Sequence, residues 1–355
     1  MTTLFCVRPT TLNIGNDIIH RAISDLCIAA FGPETSVVTI PALVGPQNGG
    51  LTARQIYDIN RLADGVVIGG GNLFENGQLT VDAQALAALG RPLLLLGLSH
   101  GRIYSRDGLL VHRTDAMPPH VIRLLVERSV RTIVRDRGTQ EILRGFGIED
   151  LVVGGCPTLF LAPNPADWTH DDRVLISVRR PDRMSISPPL QRRVAEDVRN
   201  LIAVLKGQLG GPVVLACHDY ADLEFAASFT DAPSIYFDRV ERYIEALRRC
   251  RLSVSYRLHA FLPCLAFGTP SIHLSYDERG REAVSTAAMG DWDIDMIREA
   301  DVVDAVMSRA RQLERYQELR RQGAATIARL REATMAGLGS FVKAVSCHSG
   351  RERSQ

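Results

Sequence analysis

The sequence predicts an α/β protein built from two doubly wound, Rossmann-like halves that face each other across a cleft. Three observations carry that expectation. Short aliphatic, β-branched runs alternate with amphipathic helical patterns along nearly the whole chain, as in parallel sheets covered on both faces. A proline- and asparagine-bearing stretch over 157–172 breaks the alternation, which then starts again, as at a linker between domains. With 355 residues there is enough chain for two independent cores.

The first half opens with a strand over 3–7 and a loop over 8–16 that holds Asn13 and Asn16. A helix over 17–31 follows, because Ile18, Ile19, Ala22, Ile23 and Leu26 recur at helical spacing and Gly32-Pro33 stops it. Residues 36–40 read as a second strand, and the Gly- and Pro-bearing 41–52 is long enough for a binding loop or a flap. A short helix over 53–63 leads to strand 65–68 and to Gly69, Gly70, Gly71 and Asn72. Three glycines permit either a tight turn or a close approach of backbone to a ligand. The G-x-G-x-x-G spacing of a dinucleotide loop is missing. Helix 80–90, strand 93–97 and the loop 99–102, with His100, repeat the pattern. Helix 118–129, strand 131–135, helix 137–146 and strand 151–153 complete a first domain over 1–163.

The second domain, 164–345, begins with strand 173–178, whose end carries Arg179, Arg180 and Arg183. Helix 189–209, strand 213–216, helix 222–229, strand 234–237 and helix 239–249 follow, with His218 and Asp219 just past the second strand. Leu252, Val254 and Tyr256 then alternate as a strand, and Arg257-Leu258-His259 precede a small apolar helix over 260–267. Gly268 and Pro270 close that helix in the usual order, and 271–275 is the next strand. A helix over 282–289, a loop over 290–295 and two helical segments over 301–336 come last. The final helix, about 316–345, is placed to cross back onto the first domain, and 346–355 reads as a disordered tail.

A net charge of +1 excludes general affinity for nucleic acid or anionic membrane, so anion binding has to be local. The seven cysteines show no C-x-x-C and no metal-ligand spacing, so no metal is expected. The most apolar run, 92–98, is far too short to span a bilayer, and the N-terminus lacks a signal-peptide pattern. The expectation is a cytoplasmic protein with no integral membrane segment.

A strand end that feeds a helix start leaves unpaired N–H groups and the positive end of the helix dipole. Arg257 and His259 at such a point therefore make a phosphate or carboxylate site. Ligands of doubly wound folds bind at these strand ends. There, loops 8–17, 69–77 and 99–106 of one half are expected to meet 179–183, 217–222, 257–259 and 276–281 of the other. His218 and Asp219 read equally as ligands or as loop hydrogen-bond partners. Arg180 and Arg183 read as exposed, His273 as a core histidine, and Arg135-Asp136 as a structural pair.

Several segments resemble one family, the polysaccharide pyruvyl transferases. They are G-G-G-N-L-F-E-N-G at 69–77, S-V-R-T-I-V-R-D-R-G-T-Q-E-I-L-R-G-F-G-I at 129–148 and G-G-C-P-T-L-F-L at 154–161. Y-R-L-H-A-F-L-P-C-L-A-F-G-T-P at 256–270, with S-Y-D at 275–277, is the most specific of them. The resemblance implies a GT-B-like fold and transfer of pyruvate from phosphoenolpyruvate to a sugar, as a ketal across two hydroxyls, with release of phosphate. It implies that Arg179, Arg257, Leu258 and His259 hold the donor. His259, in protonated form, either gives a proton to the enol methylene carbon or escorts the departing phosphate, or else it only hydrogen-bonds the phosphate as a neutral donor. Asp17 and His100 are candidate bases for the acceptor hydroxyl. Asn13, Asn16, Asn72, Glu75 and His218 are candidate acceptor contacts. The implied partners are phosphoenolpyruvate and a saccharide, free or lipid-linked, without metal or cofactor. The chain departs from the family pattern at Asn16, where an Asp is usual, and at G-L-S-H-G-R, 97–102, where G-Q-G-I-G-P is usual. Two rival readings are a glycosyltransferase with a nucleotide-sugar donor and a non-catalytic sugar-binding homologue.

Overall fold

Aliphatic strands with no polar face must be covered on both sides. The structure, a computed structural model describing residues 1–45, 49–105 and 107–352, meets that demand twice. The first half contains β1 (Thr2–Arg8), β2 (Thr35–Pro41), β3 (Gly65–Gly71) and β4 (Leu93–Leu98). A small antiparallel hairpin of β5 (Ile103–Tyr104) and β6 (Leu110–Val111) stands outside the sheet, before β7 (Arg131–Val134) and β8 (Val152–Val153). The six-stranded sheet is parallel, in the order β2-β1-β3-β4-β7-β8. Its helices are α1 (Ile14–Phe31), α2 (Ala53–Leu62), α3 (Ala83–Leu86), α4 (Pro119–Arg128) and α5 (Arg137–Gly145).

The second half repeats the plan with β9 (Val174–Ser177), β10 (Val213–Cys217), β11 (Ser234–Tyr236), β12 (Leu252–Ser255), β13 (Ser271–Ser275) and β14 (Asp293–Asp295). This sheet is also parallel, in the order β11-β10-β9-β12-β13-β14. It carries α6 (Pro188–Leu209), α7 (Tyr220–Ala226), α8 (Val240–Arg249), α9 (Leu258–Phe267), α10 (Glu278–Thr286), α11 (Val302–Ala310) and the long α12 (Leu313–Glu352). The strand order reverses between β1 and β3 in one sheet and between β9 and β12 in the other. Those two switch points face each other, and they fix where a ligand fits.

Several elements differ from the sequence expectation, each for a local reason. Helix α1 starts at Ile14, not at 17, because Asn13 caps it by accepting from the Gly15 amide at 2.9 Å. The glycine run continues β3 instead of leaving it, with Gly69 opposite Leu96 and Gly71 opposite Leu98. At Gly70, φ is +80° and a Cβ would run into Ile19 of α1, so glycine there serves helix-on-sheet packing. The helix expected over 80–90 shrinks to Ala83–Leu86, and the supposed loop over 290–295 contains the sixth strand, β14. Helix α10 begins at Glu278, not at 282, because Asp277 caps it. The linker is packed: Pro157–Phe160 form a buried 3-10 turn, and the Trp168 indole N–H donates to the Arg248 carbonyl at 2.9 Å. The 41–52 loop and the 99–106 loop each extend partly outside the described residues.

Helix α12 ties the halves together. It starts on the second, where Tyr316 Oη donates to the Thr269 carbonyl at 2.9 Å. It ends on the first, where Leu338, Phe341 and Val345 pack with Leu4, Cys6 and Ile23. The helix runs on through Glu352, which corrects the expected disordered tail over 346–352; residues 353–355 lie outside the described residues. Elsewhere Arg102 Nε meets Glu278 Oε2 at 2.9 Å, and Arg281 joins Tyr104 and Asp295. The Ile14 amide at the start of α1 donates to the His218 carbonyl at 3.0 Å. The halves are therefore joined by α12, by these side-chain pairs and by this backbone hydrogen bond.

Candidate active site at the facing switch points

The two switch points enclose a cleft of about 770 Å³. Six arginines line it (Arg113, Arg135, Arg179, Arg183, Arg257 and Arg279), against three aspartates (Asp182, Asp219 and Asp277). A chain of nearly zero net charge thus concentrates cations in one place, which is what a multiply charged anion requires.

The loop after β12 builds the centre. Arg257 takes the N-cap position of α9 with extended backbone and buries its guanidinium under the strand ends. Its Nη2 pairs with Asp219 Oδ2 at 2.8 Å and with Asp222, and its Nε donates to the Val178 carbonyl at 3.4 Å. Burial works against its charge, but Asp222 and Asp219 outweigh it, so its pKa stands above the ordinary arginine value. Asp222 is fully buried and also accepts from the Arg180 and His218 amides, at 3.0 and 3.2 Å. Arg257 is therefore a cation already held by two carboxylates.

Arg179, just past β9, is different. Its Nε and Nη2 donate to the Arg183 carbonyl at 3.0 and 2.6 Å, and its guanidinium lies 5.8 Å from the Tyr276 ring centre. It forms no ion pair among the described residues. Burial lowers its pKa, and neighbouring Arg257 and Arg279 add to that effect. This is an uncompensated cation beside the start of a helix, where no side chain caps the first amides of α9.

His259 stands next to both. Its backbone is kinked (φ −84°, ψ 18°), and Pro263, four residues on, has no N–H to bond the His259 carbonyl. Tyr243 Oη donates to that carbonyl instead, at 2.9 Å. The imidazole lines the cleft, and its Nε2 has no hydrogen-bond partner among the described residues. Burial, then Arg135, Arg257 and Arg279, push its pKa down to about 3, so the ring is neutral in the ligand-free cleft.

The facing wall belongs to the first half and to α10. Arg135 pairs with Asp136 at 2.9 Å and donates from Nη2 to the Arg279 carbonyl at 3.1 Å. Arg279 pairs with Asp277 and, at 3.1 Å, with Glu75. Glu75 is wholly buried, and burial raises its pKa to about 7 despite the adjacent Arg279.

Of the residues singled out from sequence, Arg179, Arg257, Leu258, His259, Asn13, Asn16, Asn72 and His218 line this one cleft. Asp17, His100 and Glu75 do not. Asp17 is paired with Arg8 at 2.8 Å. His100 is buried, its ring packs edge-on to Phe146, and burial lowers its pKa to about 4. Glu75 sits behind Arg279 rather than in the cleft. Asn13 and Asn16 are partly committed, to the α1 cap and to Thr11 Oγ1 at 2.8 Å. His273 is buried and bonded through Nδ1 to Asp293 at 2.6 Å. Arg183 is exposed, as expected, and also lines the cleft, while Arg180, expected to be exposed, is half-buried and paired with Asp182 and Glu224.

Sequence reading missed Arg279, Arg113 and Tyr243, and it read Arg135 as purely structural. Arg279 carries a usable signal, since Tyr276-Asp277 directly follow a strand and Asp277 is a natural N-cap. Tyr243 carries none, because nothing in its own helix announces a contact with His259.

A family model for polysaccharide pyruvyl transferase matches residues 13–278. Among solved structures, the S. aureus MnaA–UDP structure is similar at 13% identity and TM-score 0.57, covering 97% of this chain and 94% of that one. A UDP-N-acetylglucosamine 2-epimerase from Listeria monocytogenes, so described provisionally, is 13% identical with TM-score 0.55 over 96% and 94% of the two chains. The Methanocaldococcus jannaschii UDP-GlcNAc 2-epimerase, in complex with UDP-GlcNAc and UDP, is 12% identical with TM-score 0.53 over 86% and 92%. At such identity these likenesses establish the fold, which is GT-B. No curated protein matches the chain.

Proposed function

Since the chain belongs to the polysaccharide pyruvyl transferase family, we propose that it moves the pyruvate unit of phosphoenolpyruvate onto two hydroxyls of a saccharide as a ketal and releases phosphate. The observation that carries this reading is Arg179, a cation without an ion-pair partner among the described residues. It stands beside Arg257, Leu258 and His259 at the uncapped start of α9. Phosphoenolpyruvate carries both a phosphate and a carboxylate, so it asks for two cationic faces plus directed N–H donors. The acceptor lies along the opposite wall, against Asn13, Asn16 and Asn72.

The balance of the reaction defines what the residues do. One hydroxyl oxygen bonds to C2 of the donor while the C2=C3 electron pair takes up a proton at C3. The second hydroxyl oxygen then bonds to C2 as the C2–O bond to phosphate breaks and phosphate leaves with the electron pair. Of the two hydroxyl protons, one is matched by the new methyl C–H and one leaves on phosphate. His259 supplies the C3 proton. It is neutral in the empty cleft through burial first and the field of Arg135, Arg257 and Arg279 second; an anionic donor beside it offsets that field and adds its own negative charge, which favours the protonated ring that carries the proton.

Release of inorganic phosphate from phosphoenolpyruvate with a panel of free and lipid-linked saccharides tests the proposal. Phosphate release accompanied by a new ketal methyl signal supports it. Binding of nucleotide sugars with no response to phosphoenolpyruvate would replace it with the glycosyltransferase reading. No binding of either would leave a non-catalytic homologue.

A further inference from the structure

Two histidines line the cleft from the second half, His218 after β10 and His259 in α9, and one buried side chain touches both. Tyr243, on α8, is fully buried. Its Oη lies 2.9 Å from the His259 carbonyl and 2.9 Å from His218 Nε2. A phenol has one proton to give and two lone pairs to receive with. The His259 carbonyl can only accept, and Pro263 deprives it of its helical donor, so the Tyr243 proton goes there. Tyr243 Oη is then an acceptor toward His218, and Nε2 must carry the His218 proton. The other ring nitrogen, Nδ1, keeps its lone pair. It makes no hydrogen bond among the described residues, on a side chain that lines the cleft.

That lone pair is open to the cleft, but burial, with Arg257, His259 and Arg179 nearby, holds the ring's pKa well below the ordinary histidine value, so a proton taken there is passed on rather than kept. Gly15, in the first turn of α1, comes so close that a Cβ on it would lie 3.4 Å from His218 Nδ1 and 3.5 Å from the His259 Cβ. The His218 carbonyl receives the Ile14 amide, and its own amide donates to Asp222 at 3.2 Å, so the residue is fixed fore and aft. Asn13 and Asn16, on the acceptor wall, line the same end of the cleft.

We propose that His218 is the base that takes the proton of the attacking saccharide hydroxyl at Nδ1, and that Tyr243 is a positioning residue that fixes its tautomer and the His259 kink together. The inference rests on the pyruvyl-transfer reading. The acceptor O–H bond breaks as its oxygen bonds to donor C2, and the proton passes to His218 Nδ1. C3 takes its proton from His259. When phosphate departs with the C2–O electron pair, His218 returns its proton to a phosphate oxygen, and the second hydroxyl's proton restores His259. No oxidant or further reactant is needed.

Two measurements test this separately. Ring 15N NMR of the ligand-free protein, with the His218 signals assigned by their loss in His218→Gln, reports the tautomer without any substrate. The expected result is an Nε2-protonated, Nδ1-unprotonated ring in the wild type and a mixture of tautomers in Tyr243→Phe. A wild-type ring protonated at Nδ1 would overturn the proposal. In the second measurement, His218→Gln keeps an N–H to offer Tyr243 but has no base. Phosphoenolpyruvate should bind it within about threefold of wild type, while turnover falls roughly 10²- to 10⁴-fold, the usual worth of a general base. A His218→Gln enzyme turning over within tenfold of wild type would sink the role. Tyr243→Phe should lose kcat with little change in KM for the donor, which loosened packing alone would not produce. A wild-type chain that fails to bind phosphoenolpyruvate refutes the proposed function, and the NMR result then still decides the tautomer lock.

Discussion

Asp222→Asn should weaken the second half of the molecule far more than a conservative change at a loop residue normally does. The native carboxylate is fully buried and accepts from the Arg257 guanidinium, the Arg180 amide and the His218 amide. An asparagine keeps the shape, loses the charge and turns one acceptor oxygen into a donor, so at least one N–H is orphaned. Breaking a buried ion pair costs about 3–5 kcal/mol, and because Asp219 still faces Arg257 at 2.8 Å the lower end, about 3 kcal/mol, is expected. Both tryptophans, Trp168 and Trp292, lie in the second half, so their fluorescence isolates its urea unfolding. Inorganic phosphate should restore part of the loss, since an anion in the cleft supplies the missing counter-charge. A loss below about 1 kcal/mol, as for an exposed pair, would mean that Arg257 is not held as described.

Arg179→Met should raise the Kd for phosphoenolpyruvate by about 10- to 100-fold, the worth of one or two charge-assisted hydrogen bonds, with little effect on urea stability because no ion pair is lost. Proton uptake is expected on donor binding: burial first, and then Arg135, Arg257 and Arg279, hold the His259 pKa at about 3 in the empty cleft, and the donor's negative charge should raise it. Affinity therefore falls as pH rises through the liganded pKa, and calorimetry in buffers of different ionisation enthalpy should show the uptake in wild type but not in His259→Ala. Glu75, raised from 4.5 to about 7 by burial, makes the native state bind an extra proton between those values, so stability falls as pH climbs from 4.5 to 7. Glu75→Gln should flatten that part of a pH-dependent melting curve. Gly70→Ala should cost about 1–3 kcal/mol, because it sets a side chain against Ile19 at φ +80°.

Much of this arrangement is legible in the sequence because it follows from local rules. The aliphatic runs that become β1, β3, β4, β9, β10 and β12 announce themselves, and the G-x-P stop after α9 fixes where Arg257 and His259 stand. The failures are tertiary. Gly69–Gly71 read as a tight turn or a ligand-approaching loop, yet they stay in the sheet, with α1 pressing on Gly69 and Gly70 through Ile23 and Ile19, and only Gly71 reaches the cleft. The three residues of β14 are too short to show a period, and only pairing with β13 makes them a strand. His100 and Asp17 sit in loops that look like site loops, but Phe146 covers one and Arg8 neutralises the other. Whether an arginine is free or already paired, the difference between Arg179 and Arg257, depends on acids as many as 38 residues away in the chain, and no local pattern reports it.

The claim at the centre is that the cleft between the switch points is a phosphoenolpyruvate site. Calorimetric titration of the purified chain with phosphoenolpyruvate, alongside UDP-N-acetylglucosamine, tests it most directly. The structure leads us to expect saturable binding of phosphoenolpyruvate with proton uptake, and no comparable heat from the nucleotide sugar. Saturable binding of the nucleotide sugar together with silence toward phosphoenolpyruvate would contradict it.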